Sequence, residues 1–499
     1  MTLKEILTEW ARKHPEKTAV VCGKNRLSFL ELEQSANRLA NGLLKLGIGR
    51  GDRVAFLAPV DTIEYLICSF GVHGSGAAFI PVDVRFKIEE IDFLIKDCQP
   101  KAVISESPYF GSLASILPTW ESVEHIVDLS ATPSAPFLSY REILATNSPR
   151  SPDLELDAED IAMFRYSSGT TGRPKGAMMR HRNEVAALNT SADGLMQTED
   201  DIFLVPLVLP AHWMFYFCMY TLLRGGTVVI APGLAADEFL GIIEREKVTF
   251  LFGFPPQLTE MANITVEQVK RFDLSSLRMC LLVGFLAADI RSKFKQRFAF
   301  DITDGYGFAE SPSWVTLQPL DGTGKPGSVG KVLPGWELKI VDEDGRELPC
   351  GYTGEIAARG VPLMLGYYNR PQLTAEVIDN EGFYHSGDIG RMDEDGYLFL
   401  LGRKKEMIVV AGKEVYPVEV EAVLSRHPKV GEAAVLGIPH EVKGEVVKAV
   451  IVPKEEASAE EIESFCRLHL LEHEVPVEIE FRNFLPKTPR GTVRKEELK

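Results

Sequence analysis

"YSSGTTGRPKG", Tyr166 to Gly176, packs hydroxyl residues and glycines together and ends on a lysine. It is not a Walker A phosphate loop, because no serine or threonine follows Lys175. The physical ingredients still suit phosphate. Gly169, Gly172 and Gly176 permit backbone angles closed to other residues, so their N–H groups can turn toward an anion. Ser167, Ser168, Thr170 and Thr171 add hydroxyl donors, and Lys175 adds a positive charge. The competing reading is a Gly/Ser surface linker. Against it, the stretch lies between the strand-like "DIAMFRY" and the helix-like "RNEVAALNTSADGL".

Outward from this loop the chain alternates helix-like and strand-like segments. "SFLELEQSANRLANGLLKLG" has helical periodicity, "DRVAFLA" reads as a short buried strand, "TIEYLICSFGVHGSG" as helix and "AAFIPV" as strand. The rhythm recurs in "GTVVIA", "FLGIIEREK", "VTFLFG" and "AFDITDGYG". Such alternation predicts an α/β fold, with mostly parallel sheet flanked by helices. From about Gly330 the pattern changes. "GWELKIVDEDGRELP", "TGEIAARG" and "YHSGDIGRMDEDGYLFLLGRKKEMIVVAGKEV" predict antiparallel strands joined at Asp-Gly and Gly-rich turns. A smaller α+β unit follows: helix "PVEVEAVLSRH", strands "VGEAAVLGIP" and "EVVKAVIVP", helix "AEEIESFCRLHLL" and a polar tail.

At 499 residues the chain is long enough for two or more domains. No apolar run approaches the ~20 residues needed to span a bilayer. The start, "MTLKEILTEWARKHPEKTAV", predicts an amphipathic helix and a strand rather than a signal peptide. A formal net charge of −17 argues against bulk nucleic-acid binding, which needs basic surface, yet leaves room for a local basic site. The seven cysteines are scattered, odd in number and never form C-x-x-C. They read as reduced thiols of a cytoplasmic protein rather than a disulfide framework or zinc site.

Further motifs follow the loop in order. "DGYGFAES" (Asp304–Ser311) offers a ring, Tyr306, on which a flat base can stack, near Glu310, a carboxylate suited to phosphate-bound Mg²⁺. "GEIAARGVPLMLGYYNRPQLT" (Gly354–Thr374) comes next. In "YHSGD" (Tyr384–Asp388) the carboxylate of Asp388 can accept from two ribose hydroxyls. "GRKKEMI" (Gly402–Ile408) and "LPKTPRG" (Leu485–Gly491) complete the series. Each alone is weak, since a tyrosine in a strand is usually core and an aspartate after glycine usually a turn. The ordered set is a strong signal.

Together these motifs resemble the adenylate-forming superfamily of acyl-CoA synthetases, luciferases and peptide-synthetase adenylation domains, and most of all its AMP-forming acyl-CoA ligases. The resemblance covers essentially the whole chain. It implies that a carboxylic acid and ATP-Mg²⁺ form an acyl-adenylate, releasing pyrophosphate, and that the acyl group passes to a thiol. It also implies a phosphate-holding loop from Ser168 to Gly176, including Gly169, Thr170, Thr171, Gly172 and Lys175. By the same resemblance Tyr306 is expected to stack on adenine, flanked by Asp304, Gly305 and Gly307, Glu310 to meet Mg²⁺, and Asp388 to hold the ribose with Arg403 beside it. The same resemblance divides the chain into residues 1–402, which bind ATP and the acyl group, and a mobile domain, 403–499, that swings about Lys405. Gly412 matches a glycine of the thiol tunnel.

Three departures bear on this reading. In "PKTPRGTVRK", Thr492 stands where the family usually has a lysine that bridges acid and α-phosphate. Losing such a charge contact costs several kcal/mol of transition-state stabilisation, about 10²–10³ in rate. Arg490, Arg494 and Lys495 are the candidate substitutes. Ala309 replaces a frequent threonine. In "LLVGFLAAD" only Gly284 of a usual Gly-Gly-Ala segment remains, with Val283 and Phe285 around it. A complete ligase, an enzyme that performs only the thioester half-reaction from a supplied acyl-adenylate, and a nucleotide-binding pseudoenzyme therefore all stay open. "PAHWMFYFCMY" (Pro210–Tyr220) is either a buried aromatic helix or the acyl gate, with His212 near it. An apolar lining narrowed by Phe285 implies an aromatic, alicyclic or short-to-medium aliphatic acid. The expected partners are that acid and CoA or a free-standing carrier protein, with a second copy of the chain as a further candidate.

Overall fold

The computed structural model describes residues 1–59, 61–132, 136–167, 174–205, 211–231, 235–282, 284, 286, 288–487 and 493–499; the side chains of 167, 211–214 and 288 are excepted. Four sheets organise the described residues. In the first, strands Thr18–Cys22, Thr227–Ile230, Ile202–Val205, Phe250–Gly253, Met279–Leu282 and Ile302–Tyr306 lie side by side and parallel. In the second, Arg53–Leu57, Ala78–Pro81, Ala102–Ser105, His125–Asp128 and Ile161–Ser167 are parallel neighbours. This bears out the predicted α/β class, with two mostly parallel sheets.

Both faces of these strands are buried, and the side-chain period of two assigns alternate residues to different cores. Phe203, Val228, Phe250, Phe252 and Leu281 face one apolar cluster, which also takes in Val54, Phe56 and Phe79 of the second sheet. Their neighbours Leu204, Val229, Leu251, Cys280 and Leu282 face a second cluster, beneath Leu258 and Phe294. Ala55, Leu57 and Val103 face a third, with Leu94 and Trp120. The helices Ile63–Ser75 and Ala211–Leu223 contribute Tyr65 and Phe215 to the first cluster and so join the sheets.

The third sheet is antiparallel throughout: Trp336–Val341, Gly354–Gly360, Tyr384–Met392 and Leu398–Arg403. The fourth is built from Ile408–Val410, Lys413–Val415, Val430–His440 and Gly444–Pro453, with helices Pro417–Leu424 and Ala459–His469. It has its own core around Ile408, Val420, Val435, Ile451 and Ile462.

Two strands depart from the sequence reading. Lys175–Arg180 is a strand, not the direct entry to the helix His181–Gly194, and it pairs antiparallel with Ile161–Ser167. The glycine-rich stretch thus lies in sequence between two paired antiparallel strands. The polar tail likewise holds a strand, Glu478–Phe481, which pairs parallel with Gly444–Pro453. The described cysteines carry no disulfide. No helix among the described residues is long and apolar enough to cross a membrane.

Candidate active site

Three sheets converge where the motifs cluster. Tyr306 ends a strand of the first sheet, Asp388 lies in the third, and Lys175 and Tyr367 belong to the second. The parallel strands present their carboxyl ends here, the usual position of ligands in open α/β sheets.

Asp388 is the most constrained carboxylate. It is buried, accepts the Tyr306 hydroxyl at Oδ2 (2.7 Å), and pairs through Oδ1 with Arg403 Nε (2.7 Å). The strand register places Asp388 directly opposite Arg403. Burial raises its pKa above the ordinary aspartate value, against the pull of Arg403 and Tyr306. Tyr306 is itself buried and meets Phe308 edge-on, so its hydroxyl has a fixed direction.

Glu310 is buried beside two phenols. The Tyr367 hydroxyl donates to Oε1 at 2.5 Å, and Tyr384 adjoins both Glu310 and Tyr367. Burial and the Glu310 carboxylate push both tyrosines far above their ordinary pKa, so they remain hydrogen-bond donors. The Lys175 ammonium lies 5.4 Å from the centre of the Tyr367 ring. Glu310 fits Mg²⁺ by chemistry: it offers a hard carboxylate oxygen on the same side of the fold as Lys175, and would hold the ion that neutralises bound phosphate.

Arg165 and Glu184 hold the base of the hairpin. Their buried, two-pronged pair (3.1 Å for each contact) ties the strand entering residues 168–173 to the helix beyond them. Glu184 has its pKa raised by burial, opposed by Arg165. Gly176 faces Tyr166, and a Cβ there would stand 2.8 Å from the ring, so the two hairpin strands touch directly. Packing also dictates Gly305 and Gly307: a Cβ would stand 2.6 Å from Trp314 Cε3 and from the Ser313 carbonyl, respectively.

Other expected site residues are placed differently. The Asp304 carboxylate is taken by Arg291, with 2.7 Å to each oxygen, so its charge serves the helix Ala288–Phe298. Burial nonetheless raises its pKa. Lys405 sits in the short helical turn Lys404–Glu406 that follows the third sheet. Gly412 occupies a tight turn with Ala411, both at positive φ (78° and 51°), and a Cβ on Gly412 would meet no atom within 4 Å. Turn geometry alone therefore calls for glycine there. Gly284 is also at positive φ (121°), and a Cβ there would stand 3.2 Å from Pro255 Cγ. In the helix Ala211–Leu223 the side chains from Phe215 to Tyr220 are core, with Phe217 against Phe252.

Ser168, Gly169, Thr170, Thr171, Gly172, Val283, Phe285, Arg490, Thr492 and the His212 side chain lie outside the described residues. Of the candidate replacement cations, Arg494 pairs with Glu497, and Lys495 pairs with Glu421 (2.9 Å) and Glu406 (3.4 Å). The reading of the sequence missed Tyr367, Tyr384, Arg165 and Arg291. Two of them stand inside motifs already quoted, "GYYNRP" and "YHSGD", but nothing local announces their partners.

The family model of the AMP-binding enzymes matches residues 7–368, and that of their C-terminal domain matches residues 419–492. The chain belongs to the AMP-binding enzymes, and within them to the AMP-forming acid–thiol ligases, which use ATP, Mg²⁺ and CoA. A feruloyl-CoA synthase of Amycolatopsis sp. is 33% identical over 494 residues, covering 98% of this chain and 96% of that one. A long-chain-fatty-acid–CoA ligase of Bacillus subtilis is 30% identical over 530 residues, covering 100% and 94%. Among solved structures, ATP-bound MatB from Rhodopseudomonas palustris superposes with a TM-score of 0.91 at 29% identity, covering 100% and 98%.

Proposed function

We propose that this chain converts an apolar carboxylic acid, aromatic, alicyclic or short-to-medium aliphatic, to its acyl-adenylate and then to its CoA thioester. The observation that carries this reading is the convergence of Glu310 with Tyr367, Asp388 with Arg403 and Tyr306, and Lys175 at one end of the sheets. In the first step the acid's carboxylate oxygen attacks the α-phosphorus and pyrophosphate leaves. In the second the thiol sulfur attacks the acyl carbonyl, AMP leaves, and the thiol proton is lost. Both partners of the first step are anions, so cations and N–H donors must screen the charge that develops.

Residues 168–173 and Lys175 hold the β- and γ-phosphates. Asp388 accepts from the ribose hydroxyls, exchanging its bond to the Tyr306 hydroxyl for them, and Arg403 favours the charged carboxylate against the effect of burial. Tyr306 supplies an aromatic face to the base beside Gly305 and Gly307. Glu310 holds Mg²⁺, which when bound supplies charge neutralisation to the phosphates. Residues 403–499 turn about Lys405 between the steps, and Gly412 then borders the pantetheine path. His212, Gly284 and Phe285 border the acyl group. The breadth of acids named for the relatives, from a feruloyl group to long fatty chains, leaves the acid to be set by this lining.

A second reading rests on Thr492. With Lys495 and Arg494, the two described candidates, both engaged by carboxylates, neither is set to replace the missing lysine, and on this reading the chain performs only the thioester step on a supplied acyl-adenylate. A pyrophosphate-release screen over varied acids, with and without CoA, separates the two. Release with any acid supports the full ligase. Thioester formation solely from supplied acyl-adenylate supports the half-reaction. No turnover in either assay would overturn both.

A further inference from the structure

Tyr367 touches two groups on which the proposed site depends. Its hydroxyl donates to Glu310 Oε1 at 2.5 Å, and its ring lies 5.4 Å from the Lys175 ammonium. The residue is itself held from several sides. It pairs with Ala177 in the strand register, its N–H donates to Thr374 Oγ1 (2.9 Å), and its side chain is buried. Helix Pro371–Val377, which carries Thr374, thus fixes the short strand Gly366–Tyr367 against the hairpin strand Lys175–Arg180.

We propose that Tyr367 is a positioning residue that sets the metal-facing carboxylate and the phosphate-facing lysine in one geometry. The proposal rests on the reading of Glu310 as the Mg²⁺ carboxylate. A carboxylate on a flexible stem can rotate, and a rotated carboxylate must be reordered before it can ligate. The phenol removes that freedom by occupying Oε1, which leaves lone pairs of Glu310 for a cation. Its π-face attracts the ammonium from the other side. Tyr384, packed against the same carboxylate, limits the alternative rotamers. One aromatic side chain therefore registers the hairpin against the loop that bears Glu310.

The test is calorimetric titration of a non-hydrolysable ATP analogue into the full chain at a series of Mg²⁺ concentrations. Tyr367→Phe keeps the ring and the cation–π contact but loses the hydroxyl. It should raise the half-saturating Mg²⁺ concentration roughly fivefold to tenfold, and leave Mg²⁺-free analogue binding unchanged. Tyr367→Leu should weaken Mg²⁺-free binding as well, since Lys175 also loses its support. Tyr368→Phe, whose ring packs on Phe164 instead, serves as the neighbouring control and should match the parent. If the parent itself shows no Mg²⁺-dependent binding, the reading of Glu310 fails, and the proposal with it. If the parent shows it and Tyr367→Phe retains the same Mg²⁺ dependence, the proposal alone fails. The Phe variant changes no packing volume beyond the hydroxyl, so it carries the test even if the Leu variant does not fold.

Discussion

Asp388 faces two demands at once. In the fold it satisfies Tyr306 and Arg403; in the proposed reaction it must also accept a ribose. Ionised carboxylates make the stronger hydrogen bonds, about twice a neutral pair. Asp388→Ala should therefore weaken binding of ATP, measured by calorimetry, by roughly 10-fold to 100-fold. Its cost to stability should be smaller, about 1–3 kcal/mol, because a buried Tyr306 hydroxyl loses its acceptor while Arg403 remains half-exposed to water. Unchanged nucleotide affinity in this variant would remove Asp388 from the site.

At the scale of elements, the turn between Ile408–Val410 and Lys413–Val415 separates a structural from a catalytic need for glycine. Gly412 sits at φ 78° with open space where a Cβ would go. Gly412→Ala should thus cost about 1 kcal/mol of backbone strain, seen as a small fall in melting temperature, with no clash inside the protein. If the pantetheine arm passes this turn, the same variant should slow thioester formation by tenfold or more and leave pyrophosphate release near its parent rate. Equal effects on both half-reactions would assign Gly412 to the turn alone.

For the whole molecule, the N-terminal helix and the C-terminal tail each fasten distant parts together. The Leu3 N–H donates to His181 Nδ1, and His181 lies edge-on to His73, whose Nε2 meets the Ala162 carbonyl. Burial lowers both histidines, His181 from 6.5 to about 4 and His73 well below its ordinary value. Between about pH 6.5 and 4 the unfolded chain binds protons that the folded chain refuses, so stability falls as pH drops through that window and is flat above it. Thermal melts from pH 7.5 to 4.5 should show this acid limb, worth about 3 kcal/mol for His181, and His181→Gln should make it shallower while the share of His73 remains. A limb unchanged in that variant would place the acid sensitivity elsewhere. At the other end, Lys495 is held by Glu421 and Glu406, within the part of the chain that follows the third sheet. If Thr492 leaves the tail without its bridging cation, Thr492→Lys should raise single-turnover adenylation on the order of 10²-fold with little change in thioester formation. If Arg490, Arg494 or Lys495 already acts, Thr492→Lys gains little and alanine at one of those three abolishes adenylation. Fast adenylation indifferent to all four changes would exclude the tail from the chemistry.

The alternation of short apolar strands with amphipathic helices determined the α/β class, because strands buried on both faces must be apolar along their length, as Phe203–Leu204 and Phe250–Leu251 are. The ordered motifs, through the family resemblance they carry, likewise made Lys175, Tyr306, Glu310, Asp388 and Arg403 readable as a set. Tertiary structure decided how they are held. Tyr367 reaches Glu310 across 57 residues and Tyr306 reaches Asp388 across 82, distances over which a sequence pattern carries no signal. The strands Lys175–Arg180 and Glu478–Phe481 escaped notice for a related reason: each is fixed by ladder partners, Ile161–Ser167 and Gly444–Pro453, more than by its own composition. Asp304 was expected only to flank the base, and the fold alone set Arg291 against its carboxylate. Local propensity and periodicity are written in neighbouring residues, whereas hydrogen bonds and ion pairs between sheets exist only once burial has brought their partners together.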